Sequence, residues 1–273
     1  MIQSAVTISL VPEAKGGPFI FWDDLPGSLA QAGRLGFQGV EIFAPSADAL
    51  DARLLRQLLT DHGLKLAAMG TGAGWVLRKL HLSAPDLTAR ARALDFVSAI
   101  VDFAGSFGAP AIIGSMQGRF ENSVTREQAL DWLREALEQL GPRAHACRVP
   151  LLFEPINRYE TNLINSVTEG LQLLQSLKTK NIKLLCDLFH MNIEEKSIPE
   201  ALRLAGKSVG HVHFVDSNRR PAGHGHIDFD SVALALREGE YSGFVSGEAL
   251  AYPNSEDAAK TTMVAFKKHF VQL

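Results

Sequence analysis

Short apolar runs alternate with amphipathic stretches along the whole chain, and this alternation limits the fold more than any other feature. Runs at 5–10, 39–43, 65–69, 111–114, 149–153, 183–186, 209–215 and 243–246 are too short for helices and read as strands. Each is followed by a stretch of helical periodicity: 28–35, 49–62, 88–107, 126–146, 167–177, 198–205, 229–238 and 256–270. A strand followed by a helix, repeated in this way, builds a parallel sheet, because a parallel neighbour is reached only through a crossover. Thr125 with Gln128 three positions on, and Ser197 before Ile198-Pro199, mark two of the helix starts. No linker and no shift of composition divides the chain. The expectation is an α/β fold, a single (β/α)8 TIM barrel over residues 1–273. A doubly wound open sheet is the alternative, but no G-x-G-x-x-G follows the first strand.

The chain's 273 residues exceed the usual ~100–200 of one domain, yet barrels of this kind run to about 250. A formal net charge of −3 gives no electrostatic case for a nucleic-acid or membrane partner. Cys147 and Cys186 form neither a metal spacing nor a disulfide framework and read as small apolar groups in a reducing compartment. The first ten residues lack a basic segment before a long apolar one, and no apolar run approaches the ~20 residues of a membrane span. A cytoplasmic protein is expected. Exposed barrel helices are compatible with a homodimer or homotetramer.

The segment 151–165, LLFEPINRYETNLIN, is the densest in chemistry. Three apolar residues lead into Glu154, and Pro155 then ends strand pairing because it brings no N–H. A carboxylate at the tip of a buried strand is what a site on the C-terminal rim of a barrel requires. The next three strands end alike: the sixth at Asp187, the seventh carrying His213, the eighth at Glu248. The spacings of 33, 26 and 35 residues are each about one strand-helix repeat, so the four side chains return to one rim. Taken singly, a strand-end Asp is a helix cap and a lone His a core group. Together, three carboxylates repel one another unless a cation compensates them. Two Glu, one Asp and one His suit Mn²⁺, Mg²⁺ or Co²⁺, with Zn²⁺ also able to bind. His211 shares a face of its strand with His213 and is either packed or an outer partner.

Other groups reach the same rim. Glu160, His190 and Arg219 are the candidate substrate contacts; Arg220 and the Glu194-Glu195 pair read as solvated. Arg119 is either one half of a salt bridge or an anchor for a substrate carboxylate or phosphate. The loop after the eighth strand, ALAYPNSED, has no Gly-rich cradle, which favours an unphosphorylated substrate. The insertion 70–85, with Trp75, Leu77 and Leu80, reads as a lid or as a connector packed on the rim.

The segments EPINRYETNLIN, DLFHMNIEE, HVHFVDSNRRPAGHGHIDF and the final SGE resemble the sugar isomerases and epimerases of the xylose-isomerase-like barrel superfamily. Within it they are most similar to ketose 3-epimerases, such as D-tagatose and D-psicose 3-epimerase, and to 5-keto-L-gluconate epimerase. The similarity is dense from the fifth strand to the eighth and general in the first hundred residues. It implies that Glu154, Asp187, His213 and Glu248 hold a divalent metal, Mn²⁺ first, and that Glu154 and Glu248 move protons. It implies also that Glu160, His190 and Arg219 contact substrate oxygens. The segment GSMQGR, with Arg119, is closer to the keto-acid branch, so a neutral ketose and a sugar acid both stay open. The implied activity is metal-dependent epimerisation at C3 through an enediolate. An aldose–ketose isomerase, a keto-glycoside lyase, a zinc endonuclease of the superfamily and a sugar-binding barrel without turnover are the alternatives.

Overall fold

The structure of the chain, a computed structural model, describes residues 1–121 and 124–271. One sheet with parallel pairing throughout runs through it. Its strands are β1 (Gln3–Ser9), β2 (Phe21–Trp22), β3 (Gly39–Phe43), β4 (Lys65–Gly70), β5 (Ala111–Ile113), β6 (Leu151–Phe153), β7 (Ile182–Asp187), β8 (Val209–His213) and β9 (Phe244–Gly247). β1 pairs with β9, from Gln3 opposite Phe244 to Val6 opposite Gly247, and this closes the barrel. β2 only adds two residues beside the end of β1. The other eight strands, with helices between them, make a TIM barrel.

The helices are α1 (Leu25–Leu35), α2 (Ala52–Asp61), α3 (Ala73–Arg78), α4 (Leu87–Gly105), α5 (Arg126–Ala146), α6 (Val167–Ser176), α7 (Leu188–Glu194), α8 (Ile198–Ala205), α9 (Phe229–Glu238) and α10 (Ser255–Phe266). None of them is long and apolar enough to cross a membrane. Every strand and helix expected from the sequence is present, with bounds moved by a few residues. The helix expected from residue 49 begins at Ala52, because Asp51 accepts from the N–H groups of Arg53 and Leu54 and starts it there. Thr125 and Gln128 form the reciprocal capping pair, and Ser197 accepts from Glu200 N. Two short helices were not expected. α3 lies inside the 70–85 insertion, and α7 follows β7 with no intervening loop. At six and seven residues, both are too short to show a helical period.

The insertion packs on the rim rather than standing off it. Thr71 Oγ1 donates to Ile112 O at 2.6 Å, Leu82 N donates to Met116 O, and Leu80, Leu82 and Ala84 are buried.

Most of the core fills the space between barrel and helices, with large buried residues such as Phe153, Phe214 and Ile100. Ala68, Ile112, Leu152 and Leu185, from β4 to β7, form a separate cluster inside the barrel. The facing side of the interior is polar. Glu41 sits in register with Ala68, His211 with Leu185, and Ser246 with His213. The apolar half is the floor beneath the rim that carries the candidate residues. Leu152 is fully buried, so Leu152→Ala should cost about 2–5 kcal/mol. Urea unfolding of the two proteins measures this; a loss below 1 kcal/mol would show that Leu152 is not part of a tightly packed floor.

Candidate active site

Glu154 extends the barrel one residue past β6. Its N–H donates to Ile113 O at 2.9 Å, and its carbonyl accepts from the buried Gln117 Nε2 at 3.1 Å. Pro155 then ends the ladder. The Glu154 carboxylate lies over Gly114, where a Cβ would come within 2.3 Å of Oε2. Glycine at 114 is therefore a condition for Glu154 to point into the barrel mouth.

Asp187, the last residue of β7, serves two purposes at once. Oδ1 caps α7, accepting from Phe189 N at 2.8 Å and His190 N at 3.0 Å, while Oδ2 lies 3.0 Å from His213 Nδ1. Cap and site residue are one group. His213 Nδ1 is also 3.4 Å from Glu154 Oε1 and 3.3 Å from Glu248 Oε2, the residue just past β9. The structure thus brings Glu154, Asp187, His213 and Glu248 together, from four successive strands, around one ring nitrogen.

Arg219 closes the group from the loop after β8. Nη1 lies 3.1 Å from Asp187 Oδ2, Nη2 pairs with Glu248, and the guanidinium stacks 4.7 Å over the Phe189 ring. Its backbone is left-handed, φ 62°, a conformation that a non-glycine residue holds only when its surroundings impose it. Arg219 N donates to Asp216 O and Leu250 N donates to Arg219 O. The buried Asp216 carboxylate accepts from the N–H groups of Ser217, Gly223 and Ile227 and so ties the whole loop.

His190, on the first turn of α7, is 3% exposed. Its Nδ1 pairs with Asn157 Nδ2 at 2.7 Å, and Asn157 Nδ2 also donates to Glu160 Oε1 at 2.9 Å. His190 Nε2 faces Arg219 Nη1 at 3.5 Å and Glu154 Oε1 at 3.8 Å. Glu160 is half exposed at the mouth.

A cavity of about 280 Å³ opens at this cluster, close to the ~300 Å³ lower end of small-molecule sites. Its polar lining includes Glu41, Glu154, Glu160, His190, His213, Arg219 and Glu248, and its apolar lining Pro18, Phe19, Phe43, Val76, Ile112 and Ile156. Arg119 is not among its lining residues. It forms an ion pair with the exposed Glu121, Nε to Oε1 2.8 Å, without the alignment of a hydrogen bond. Glu194 is not solvated as expected. Its carboxylate accepts from Arg158 N and Nε, fastening the loop after β6 to α7, and Glu195 accepts from Val167 N. Arg220 too is engaged, stacked 3.8 Å over Tyr252.

The electrostatics follow from crowding. Burial raises Glu154 to about 7, with Glu248 and Asp187 adding to the rise against the pull of His213. Burial would raise Asp187 as well, but Arg219 with the two imidazoles holds it below the usual carboxylate range. His213 is the converse: burial favours its neutral form, yet Glu248, Glu41 and the other carboxylates push it well above an ordinary histidine. His190 is lowered to about 4 by burial. Negative charge around one nitrogen is what a divalent cation compensates. Glu154, Asp187 and His213 offer donor atoms within 4.8 Å of one another, a spacing that fits donors about 2.1 Å from a six-coordinate centre; Glu248 stands outside that trio, 3.3 Å from His213 Nδ1 and paired with Arg219.

Sequence reasoning passed over Glu41, whose carboxylate meets the far side of His213, with Nε2 to Oε1 3.2 Å. Its one signal was an acid in the middle of the apolar strand GVEIF. Asn157 and Gln117 carried no signal beyond their polarity, since their roles depend on which loops meet.

Residues 29–269 match the family model described as "Xylose isomerase-like TIM barrel". D-psicose 3-epimerase of Agrobacterium fabrum is 30% identical over 239 residues, 85% of this chain and 78% of that one. L-ribulose 3-epimerase of Mesorhizobium japonicum is 31% identical over 235 residues, 84% of this chain and 76% of that one. The crystal structure of a D-psicose 3-epimerase in the presence of D-fructose superposes with a TM-score of 0.83 over 99% of this chain and all of that one. At 20% identity, that likeness speaks for the fold alone.

Gly114→Ala should displace the Glu154 carboxylate with the barrel intact. Turnover should fall by about 10²-fold, the scale of an ångström's misplacement, with an unchanged circular dichroism spectrum. Wild-type turnover in that variant would show that Glu154 needs no such clearance.

The match across most of the chain, the closed parallel barrel and the ring of acids on its rim lead to one assignment: the chain belongs to the xylose isomerase-like TIM barrel family.

Proposed function

We propose that the chain is a metal-dependent carbohydrate epimerase, an isomerase that inverts C3 of a ketose or keto-sugar acid through an enediolate. The observation that carries this reading is the convergence of three carboxylates on one nitrogen of His213, beside a small cavity. The two relatives named above are 3-epimerases of ketoses, which supports the same reaction class here.

In this scheme Glu154, Asp187, His213 and Glu248 hold the ion, Mn²⁺ first among the candidates. A divalent cation held there supplies polarisation of the substrate carbonyl and charge stabilisation of the enediolate. Glu154 and Glu248 arise from β6 and β9, separated around the rim, and both line the cavity. One carboxylate takes the C3 proton on one face of the sugar, and the other delivers a proton to the opposite face. That exchange of roles inverts the carbon.

Arg219 and His190 present N–H groups towards the same end of the cavity and bind the carbonyl-side oxygens. Arg219 is held in place by Asp187, Glu248 and the Phe189 ring, so its orientation is set before substrate arrives. Glu160 accepts from a substrate hydroxyl at the mouth. The apolar wall, with Phe19 stacked 4.7 Å from Phe43, keeps water from the reacting carbon. Arg119 lies outside this scheme.

Glu154→Gln and Glu248→Gln should each lower turnover by at least about 10³-fold while the protein stays folded, the size of effect expected of a positioned proton carrier. Near-normal turnover in either would remove the two-carboxylate scheme. Ketoses and keto-sugar acids incubated in deuterated water and followed by proton NMR should exchange at C3. Exchange at C1 would instead mark an aldose–ketose isomerase. Chelation should abolish exchange and Mn²⁺ should restore it; exchange that is indifferent to both would rule out the metal.

A further inference from the structure

Glu41 stands in the middle of β3 among Gly39, Val40, Ile42 and Phe43 and is 4% exposed. A carboxylate in such a place needs partners close by. Ala68, its neighbour in register on β4, offers none. Its partners come from across the barrel: Oε2 lies 2.9 Å from His211 Nε2, and Oε1 lies 3.2 Å from His213 Nε2. The two imidazoles stand edge to face, 5.7 Å apart at 89°, so one carboxylate bridges both. Burial works against its charge, but His213 and His211 outweigh it and keep Glu41 well below the usual carboxylate range.

The bridge has a consequence for His213. A carboxylate acceptor at Nε2 keeps a proton on that nitrogen, so a cation that takes the place of the proton on Nδ1 would meet its lone pair there, on the side of Glu154, Asp187 and Glu248. A ring rotated by half a turn would present carbon there instead. His211 takes the other oxygen of Glu41 and keeps the carboxylate from turning away. We propose that Glu41 is the positioning residue of the metal centre: it fixes the ring plane and tautomer of His213, with His211 as its anchor. This inference rests on the reading of Glu154, Asp187, His213 and Glu248 as metal ligands.

Two rival roles for Glu41 are open to measurement. It borders the cavity, so it could touch substrate. It also forms with His211 and His213 a trio whose donor atoms lie within 4.8 Å of one another, so it could bind an ion of its own. The test is isothermal titration of Mn²⁺ into chelator-treated wild type, Glu41→Gln and His211→Asn, with steady-state kinetics at saturating Mn²⁺ and circular dichroism on each. Wild type should bind one Mn²⁺ per chain. Glu41→Gln should bind it about 10- to 100-fold more weakly, the usual loss when the outer partner of a ligating histidine is removed. In the same variant kcat should drop while KM moves less than about threefold, since no substrate contact is lost. His211→Asn should shift Mn²⁺ affinity in the same direction by a smaller factor.

Unchanged Mn²⁺ affinity in folded Glu41→Gln overturns the inference. A raised KM with unchanged Mn²⁺ affinity makes Glu41 a substrate contact and overturns it too. Two ions per wild-type chain, one of them lost in Glu41→Gln, makes it a ligand, with the same result. If Glu41→Gln does not fold, His211→Asn decides by the same affinity criterion. A wild-type chain that binds no Mn²⁺ removes the metal centre itself, and that failure is separate from the others.

Discussion

Mutual repulsion of buried carboxylates organises the upper half of this barrel. Glu154, Asp187 and Glu248 are drawn to one imidazole nitrogen, and a fourth carboxylate, Glu41, stands on the far side of the same ring. Burial alone would raise Glu154, Asp187 and Glu41. What surrounds them is positive or donating: Arg219 between Asp187 and Glu248, the helix start of α7 against Asp187, and two histidines against Glu41. The left-handed backbone at Arg219 and the loop gathered around Asp216 follow from the need to deliver that guanidinium to this point. Compensation of charge, more than apolar packing, explains the architecture of the rim.

Asp187 illustrates how little material such a site needs. One oxygen starts a helix and the other meets His213, so the choice between a structural cap and a functional acid does not arise. The cap also sets α7 so that His190 and Phe189 fall beside Arg219, one as a neighbour in the cavity and one as the surface it stacks on. Removing the carboxylate would therefore disturb the helix, the arginine and the imidazole together.

The barrel was legible in the sequence because each strand and helix carries its own period, and eight repeats leave few other closures. The three acids and the imidazole at strand ends were legible for the same reason: a strand end has a fixed address on the rim. What escaped depends on contacts between distant segments. Glu41 meets His211 and His213 across 170 and 172 residues, and nothing in GVEIF announces them. Asn157 joins His190 to Glu160 only because α7 exists, and α7 is too short to declare itself by periodicity. The expected solvation of Glu194 failed for a related reason, since Arg158 reaches it from another loop. Arg119 is paired with the exposed Glu121, one of the two roles its sequence position offered.

The cavity draws its lining from distant parts of the polypeptide. Glu154, Glu160, His190, Arg219 and Glu248 lie beyond residue 150, whereas Pro18, Phe19, Phe43 and Val76, and with them Glu41, precede residue 80. Substitutions at Pro18, Phe19, Phe43 and Val76 would remould the outline of the cavity and leave Glu154, Asp187, His213 and Glu248 unchanged. The shape of the cavity can thus change through the amino-terminal third of the chain while the acids on the rim stay as they are.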